Sequence, residues 1–379
     1  MNLPGLYIHI PFCKTKCPYC HFFSTTDMTA LEAVVAAILR EMELYADEFD
    51  TFDTIYIGGG TPSLLTIQQL DAILSGVHKH FLIPPDAEIT IEVNPADGDL
   101  AWYRSLKGLG VNRLHLGVQS FSDQALTFLG RRHRAEDAFA AVDNTIRAGF
   151  DNFGLDLIYG IPGQDLQSWR ESLECAVSLA PPHLSAYQLA IEEETPLCVS
   201  YRHGAFEIPD EDASLAFFLD TSAYLDDSGY HHYEVSNYAA TPARKSRHNQ
   251  KYWDHTPDHT PYLGLGPAAH SYKEGRRWWN HRSIESYLND LGAGKPPPVA
   301  GDETLGREDL RLETLFMSLR TAAGIDLAAF CLQFGENLPE TRYSIIESLV
   351  ARGFISVSDE RISPTRRGLA VADQLALIL

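Results

Sequence analysis

Basic residues are scarce in this chain: 30 lysines and arginines stand against 51 aspartates and glutamates, a formal net charge of −21 over 379 residues. A broad nucleic-acid surface needs clustered cations to displace counterions from phosphates, so a polyanion is not the expected partner. The densest basic cluster, Arg131, Arg132 and Arg134, reads as local. Long apolar runs are missing as well, and no stretch reaches the length of a bilayer-spanning helix. The opening Met1-Asn2-Leu3-Pro4-Gly5 has neither a basic n-region nor a separate apolar h-region, which argues against secretion. Cysteine is limited to six residues; Cys175, Cys198 and Cys331 are scattered, and the set does not read as a disulfide framework. A reducing cytoplasm fits this usage. At 45% hydrophobic and 21% charged residues the composition is that of a soluble globular protein, long enough for a large α/β domain and a smaller one.

The other three cysteines, Cys13, Cys17 and Cys20, are spaced C-x3-C-x2-C directly after the apolar run Leu6 to Phe12. Thiolates suit iron-sulfur clusters, and a cuboidal 4Fe-4S cluster wants one ligand per iron, so three cysteines would leave one iron open for chemistry. The alternative is a structural zinc knuckle with His21 as fourth ligand. That histidine adjoins Cys20, whereas zinc ligands usually come as two separated pairs.

Apolar, β-branched runs alternate with helical patterns through the first half of the chain, the signature of repeated βα units around a parallel sheet. Six strands are expected at about Leu6 to Ile10, Thr54 to Ile57, Glu88 to Val93, Arg113 to Val118, Phe153 to Ile158 and His183 to Leu189. Helical stripes fall at Leu31 to Tyr45 and Leu166 to Leu179. Cys13, the run Gly58 to Pro62, Glu92 with Asn94, Gln119 and Ala190 all follow or end strands, and Asp156 lies on the fifth. βα loops converge at the C-terminal edge of such a sheet, so these residues describe one mouth.

The expected fold is an incomplete parallel (βα)6 barrel over residues 1–195. A barrel-completing region at 196–295 and a smaller, mainly helical C-terminal domain at 296–379 would follow. The last begins at a stiff linker, Pro296-Pro297-Pro298, and continues with helices near Asp309 to Leu319, Leu327 to Phe334 and Thr341 to Arg352. A hairpin around Phe354 to Ile362 and a helix from Arg366 give it a winged-helix character, read as a lid or docking domain because the surroundings are acidic.

The cysteine spacing resembles the signature of radical S-adenosylmethionine (SAM) proteins, in which SAM chelates the open iron. The runs Tyr7 to Cys13, Gly58 to Pro62, Gly117 to Phe121 and Asp156 to Pro162 resemble, over nearly the whole chain, the coproporphyrinogen III oxidase-like branch, and within it the HemW-type heme chaperones. The resemblance implies Cys13, Cys17 and Cys20 as cluster ligands, with Tyr7, Gly59 and Glu92 on SAM. The oxidases hold a second SAM, and the matching positions are Tyr19, Gly60, Thr61, Gln119, Arg131, Asp156 and Ala190, with His270 also at a SAM-touching position.

Two departures separate the chain from the decarboxylating oxidases. Those carry C-x3-C-x2-C-x-C where Phe22 stands here, and an N-terminal extension where this chain has five residues before Leu6. The run Arg247-His248-Asn249-Gln250-Lys251-Tyr252-Trp253 matches the HNxxYW motif of HemW-type proteins. His248 is the candidate axial ligand of heme iron, with Asn249, Tyr252 and Trp253 beside it, and His270 is the rival ligand, its SAM-touching position favoured over iron; the alternative for His248 is a histidine and two aromatics closing a core. His231, His232, His255 and His259 lie in polar, aromatic loops, and most of them read as solvated. The resemblance thus implies heme as cargo, a heme-acceptor protein, a 4Fe-4S cluster, SAM, and room for a homodimer. The competing reading is an oxygen-independent coproporphyrinogen III oxidase, in which Arg131, Arg132 and Arg134 would pair with substrate carboxylates.

Overall fold

The computed structural model describes residues 3–254, 259–292 and 297–379; Met1, Asn2, His255 and Pro296 lie outside them. Six strands run parallel and in sequence order: β1 (Gly5–Ile10), β2 (Thr54–Gly59), β3 (Glu88–Val93), β4 (Arg113–Gln119), β5 (Phe153–Tyr159) and β6 (His183–Gln188). Each matches an expected strand to within two residues at either end. Helices on the outside of the sheet, among them Leu31–Tyr45 and Leu166–Ser178, cover its outer face.

The side-chain period of two divides each strand between a dry outer face and a polar lumen. Leu6, Ile8 and Ile10, Ile55 and Ile57, Leu114, Leu116 and Val118 point outward into the main core with Val34, Ile38, Ile73 and Trp169. The alternate positions carry Tyr7 and His9, Tyr56, Thr90 and Glu92, His115, Asp156, and His183 and Ser185. Short strands extend both edges of the sheet. β7 (His231–Glu234) and β8 (Asn237–Ala239) continue it antiparallel past β6; on the other side β9 (Tyr262–Leu265) pairs parallel with β1. β10 (His270–Lys273), β11 (Arg276–Asn280) and β12 (Val299–Thr304) follow, each antiparallel to its neighbour. The outer strands β12 and β7 are not paired with each other, so the barrel stays open.

β12 follows Pro297 and Pro298 directly, so the large sheet extends past the proline run expected to act as a linker. The small C-terminal unit starts at the helix Arg307–Leu319 and has its own core, in which Leu315, Phe330, Leu349, Ile362 and Leu375 meet. Its sheet, β13 (Ile325–Asp326), β15 (Arg361–Pro364) and β14 (Ile355–Val357) in that order, forms the wing. The backbone bonds from the Val235 amide to the Arg320 carbonyl and from the Ala322 amide to the Tyr233 carbonyl dock this unit on β7.

Candidate functional site

The cysteine loop leaves β1 at the C-terminal edge and is fixed by main-chain bonds. The Gly60 and Thr61 amides donate to the Ile10 and Phe12 carbonyls, and the Cys13 amide to the Thr25 carbonyl, all at 2.8–2.9 Å. A Cβ on Gly60 would lie 2.6 Å from the Phe12 carbonyl oxygen, so only glycine lets the Gly58 to Pro62 turn approach this closely. Cys13 is buried, and Thr61 Oγ1 donates to its sulfur at 3.4 Å. Cys17 receives Arg131 Nη1 at 3.6 Å. Tyr19 joins the same pair, hydrogen-bonded to both Cys17 and Arg131. Burial, followed by the neighbouring thiols, pushes the Cys20 thiol up. Among the described residues, no three His, Cys, Asp or Glu side chains converge as they would on a single metal ion. A cubane asks for something else, each thiolate facing its own iron.

Below the loop, Glu92 is half-buried and accepts from Tyr56 Oη at 2.9 Å and the Gly59 amide at 3.2 Å. Burial, and then Asp156, push it up to about 7. Tyr7 lies beside it, stacked on Tyr56 and bonded to His9 Nδ1 at 3.1 Å. Asp156 bonds His115 Nδ1 at 3.3 Å. Gln119 adopts φ 66°, a left-handed conformation uncommon for a residue with a side chain. The rim thus brings together Tyr7, Tyr19, Gly59, Gly60, Thr61, Glu92, Gln119, Arg131 and Asp156, with Ala190 just past β6 and His270 at the start of β10.

The basic cluster does not offer three free cations. Arg132 holds Asp97, Arg134 is exposed and within 3.8 Å of Asp123, and Arg131 binds the Gly117 carbonyl and Cys17. Only Arg131 keeps a buried donor, Nε, with no partner.

His248 lies at the other end of the barrel. The helix Arg247–Trp253 closes its floor, with the His248 amide and Nδ1 bonded to Glu88 and Thr54, the first residues of β3 and β2. Nε2 bonds Tyr252 Oη at 3.0 Å, so neither ring nitrogen is free. The core-closing role weighed for this histidine is the one its contacts display; iron ligation would require an exchange. Burial holds its imidazole down to about 3, neutral at ordinary pH. The expectation of solvated histidines also fails for His232 and His259: His232 stacks on Tyr238 at 4.2 Å, and His259 is buried against Gln333. His231 is exposed as expected.

The profile of the Radical SAM superfamily matches residues 7–176, and that of the HemN C-terminal domain matches 305–371. The heme chaperone HemW of Mycobacterium tuberculosis (strain ATCC 25618 / H37Rv) is 35% identical, over 99% of this chain and 94% of its own. The chain belongs to the HemW family of radical SAM proteins. The heme chaperone HemW of Bacillus subtilis (strain 168) is 31% identical over 98% of both chains. The fold is also that of the Escherichia coli coproporphyrinogen III oxidase HemN, with a TM-score of 0.84 at 23% identity, covering 99% of this chain and 89% of that one.

Membership of the radical SAM superfamily implies a 4Fe-4S cluster and SAM, and the residues at this mouth fit both. Three soft thiol donors line one loop, Gly59 and Gly60 leave backbone bare beside it, and Arg131 Nε is an unmatched buried donor. Four contributors to the site had not been singled out in the sequence: Tyr56, His9, His115 and Asp97. The first three were findable, since each falls on the lumen side of the strand alternation. Asp97 lies in a loop, where no period marks it.

Proposed function

We propose that this protein is a cytoplasmic heme chaperone: it binds heme, carries a 4Fe-4S cluster on Cys13, Cys17 and Cys20 with SAM on the open iron, and passes heme to an acceptor protein. One observation carries the heme reading. The helix Arg247–Trp253 borders a cleft of about 570 Å³ between the barrel floor and the C-terminal unit, where Trp253 of the motif meets Phe330, Tyr233, Lys245 and Arg247 beside the acidic Asp53 and Glu234, while His248, Asn249 and Tyr252 face away from it. Flat aromatic faces suit a porphyrin, and Lys245, over the Tyr233 ring, suits a propionate, whereas Arg247 is already paired with Asp53 at 3.1 Å. Trp253 Nε1 is buried in that wall without a partner. The cleft opens at the opposite end of the barrel from the cysteine loop, so heme and SAM would not compete for space.

Tyr7, Glu92 and the Gly59 backbone are the groups this reading gives to SAM, Glu92 accepting a charge-assisted bond from its ammonium or hydroxyl groups. Iron ligation by His248 would exchange the Tyr252 bond for the metal. The arginine cluster favours neither reading, since Arg132 is already matched to Asp97 and heme carries propionates as the oxidase's substrate does.

The deciding experiment incubates cluster-reconstituted protein anaerobically with coproporphyrinogen III, SAM and a strong reductant, and separately titrates the protein with heme. Saturable heme binding with an unaltered porphyrin mass is expected. Loss of two carboxyl groups from the porphyrin would establish the oxidase instead.

A further inference from the structure

Glu41 lies within the helix Leu31–Tyr45, the first after the cysteine loop, and is fully buried. Three neutral donors from separate segments converge on it. The Gly266 amide and Tyr287 Oη bond Oε2 at 2.8 and 2.6 Å, and Asn280 Nδ2 bonds Oε1 at 2.6 Å. Asn280 Nδ2 also donates to the Gly266 carbonyl at 2.9 Å, so both polar groups of one residue are held. A buried carboxyl beside neutral donors is an expensive choice, and burial pushes Glu41 up to about 7. Its virtue is that an ionised carboxylate accepts several bonds and brings no donor of its own, whereas a glutamine would turn an NH2 toward a donor.

What the carboxylate holds is the turn between β9 and β10. Gly266 has φ 96°, and a Cβ there would lie 2.4 Å from the His9 carbonyl oxygen, so the turn is pressed onto β1. His9 in turn bonds Tyr7 Oη and the Phe23 carbonyl, and its ring occupies the space a side chain on Gly59 would need. The same turn continues through Ala268, at φ 62°, to His270.

We propose that Glu41 is a positioning residue for SAM: by clamping Gly266 against β1 it sets where Tyr7, Gly59 and His270 stand at the mouth. This rests on the reading of the mouth as a SAM site. The test is anaerobic titration of the cluster-reconstituted full chain with SAM, read by equilibrium binding and by the electron paramagnetic resonance spectrum of the reduced cluster, in wild type, Glu41→Gln and Tyr287→Phe.

In Glu41→Gln, SAM affinity should fall about tenfold, the worth of one or two hydrogen bonds. Its SAM-induced spectral change should differ from wild type while iron content and the SAM-free spectrum match. Tyr287→Phe, which removes one donor, should move the same way by less. Wild-type affinity and spectrum in both variants would overturn the proposal, and if Glu41→Gln does not fold, wild-type behaviour of Tyr287→Phe alone does so. A wild-type protein with an intact cluster that binds no SAM would instead remove the SAM reading itself.

Discussion

Arg132 grips Asp97 with one nitrogen 2.9 Å from each carboxylate oxygen, and that single carboxylate ties three loops of the barrel mouth together. Lys14 of the cysteine loop reaches the same oxygens at 3.1 Å, and Ser63 of the glycine turn at 2.9 Å. Asp97 is 3% exposed, so removing it would leave two cations facing a hole. Asp97→Ala should cost roughly 2–4 kcal/mol, short of the fully buried limit because Lys14 stands in solvent. Urea unfolding measures the loss, and iron content after reconstitution should drop with it. Full iron loading in a destabilised variant would separate Asp97 from the cluster loop.

Removing a cluster thiolate has a simpler expected result. Cys17→Ser should leave purified protein without stoichiometric iron and sulfide, since a serine hydroxyl replaces the thiolate as a poor ligand for iron. Unchanged iron and sulfide would sink the ligand assignment.

Gly60 tests the cradle by shape alone. Gly60→Ala places a methyl 2.6 Å from one backbone oxygen and 2.8 Å from another, neither of which can rotate away. A loss of roughly 1–3 kcal/mol in unfolding free energy is expected, together with impaired cluster loading. A variant as stable as wild type would show that the two loops can separate without penalty.

The pair His248 and Tyr252 separates a scaffold from a ligand. Tyr252→Phe should cost about 1 kcal/mol for the lost bond and, if His248 binds iron, should tighten heme binding by freeing Nε2. His248→Ala should weaken heme binding. Heme titration monitored by porphyrin absorbance reads both, and equal affinities in all three proteins would move the ligand elsewhere.

Buried imidazoles contribute to the pH dependence with a definite sign. Burial above all holds His248 at about 3 and His9, His133 and His232 at about 4, against 6.5 when unfolded. The unfolded chain takes up protons that the folded imidazoles refuse, so their contribution is full above about 6.5 and falls as the pH drops toward 4, while Glu41, Glu92 and Glu234, raised to about 7, contribute in the opposite sense over the same range. At a pH of about 5 the loss should be on the order of 1–2 kcal/mol per imidazole, read as the difference in urea midpoint between wild type and a His232→Phe variant at pH 7 and pH 5. A difference independent of pH would mean that this ring titrates in the fold as it does in the unfolded chain.

The strands β1 to β6 were legible because continuous apolar residues on one face and a glycine or polar residue at each C-terminal end recur with the period of a βα unit. The hairpin and helices of the C-terminal unit were legible for the same reason. The edge strands β7 to β12 were not: they run three to six residues, and aromatic, charged and glycine residues leave no alternation to read. Their place is decided by the open edges of β1 and β6, which offer unpaired backbone.

The sequence by itself determined that three thiols share one loop at a barrel mouth and that an HNxxYW segment accompanies them, because spacing along the chain carries that information. Only the tertiary structure decided that the two lie at opposite ends of the barrel, that His248 turns both nitrogens inward, that Arg132 belongs to Asp97, and that Glu41 clamps Gly266. Apart from the His248–Tyr252 bond, four positions apart on one helix, these pairings join residues from 35 to 225 positions apart. They depend on which side chain meets which across the packed sheet, and no local period encodes that.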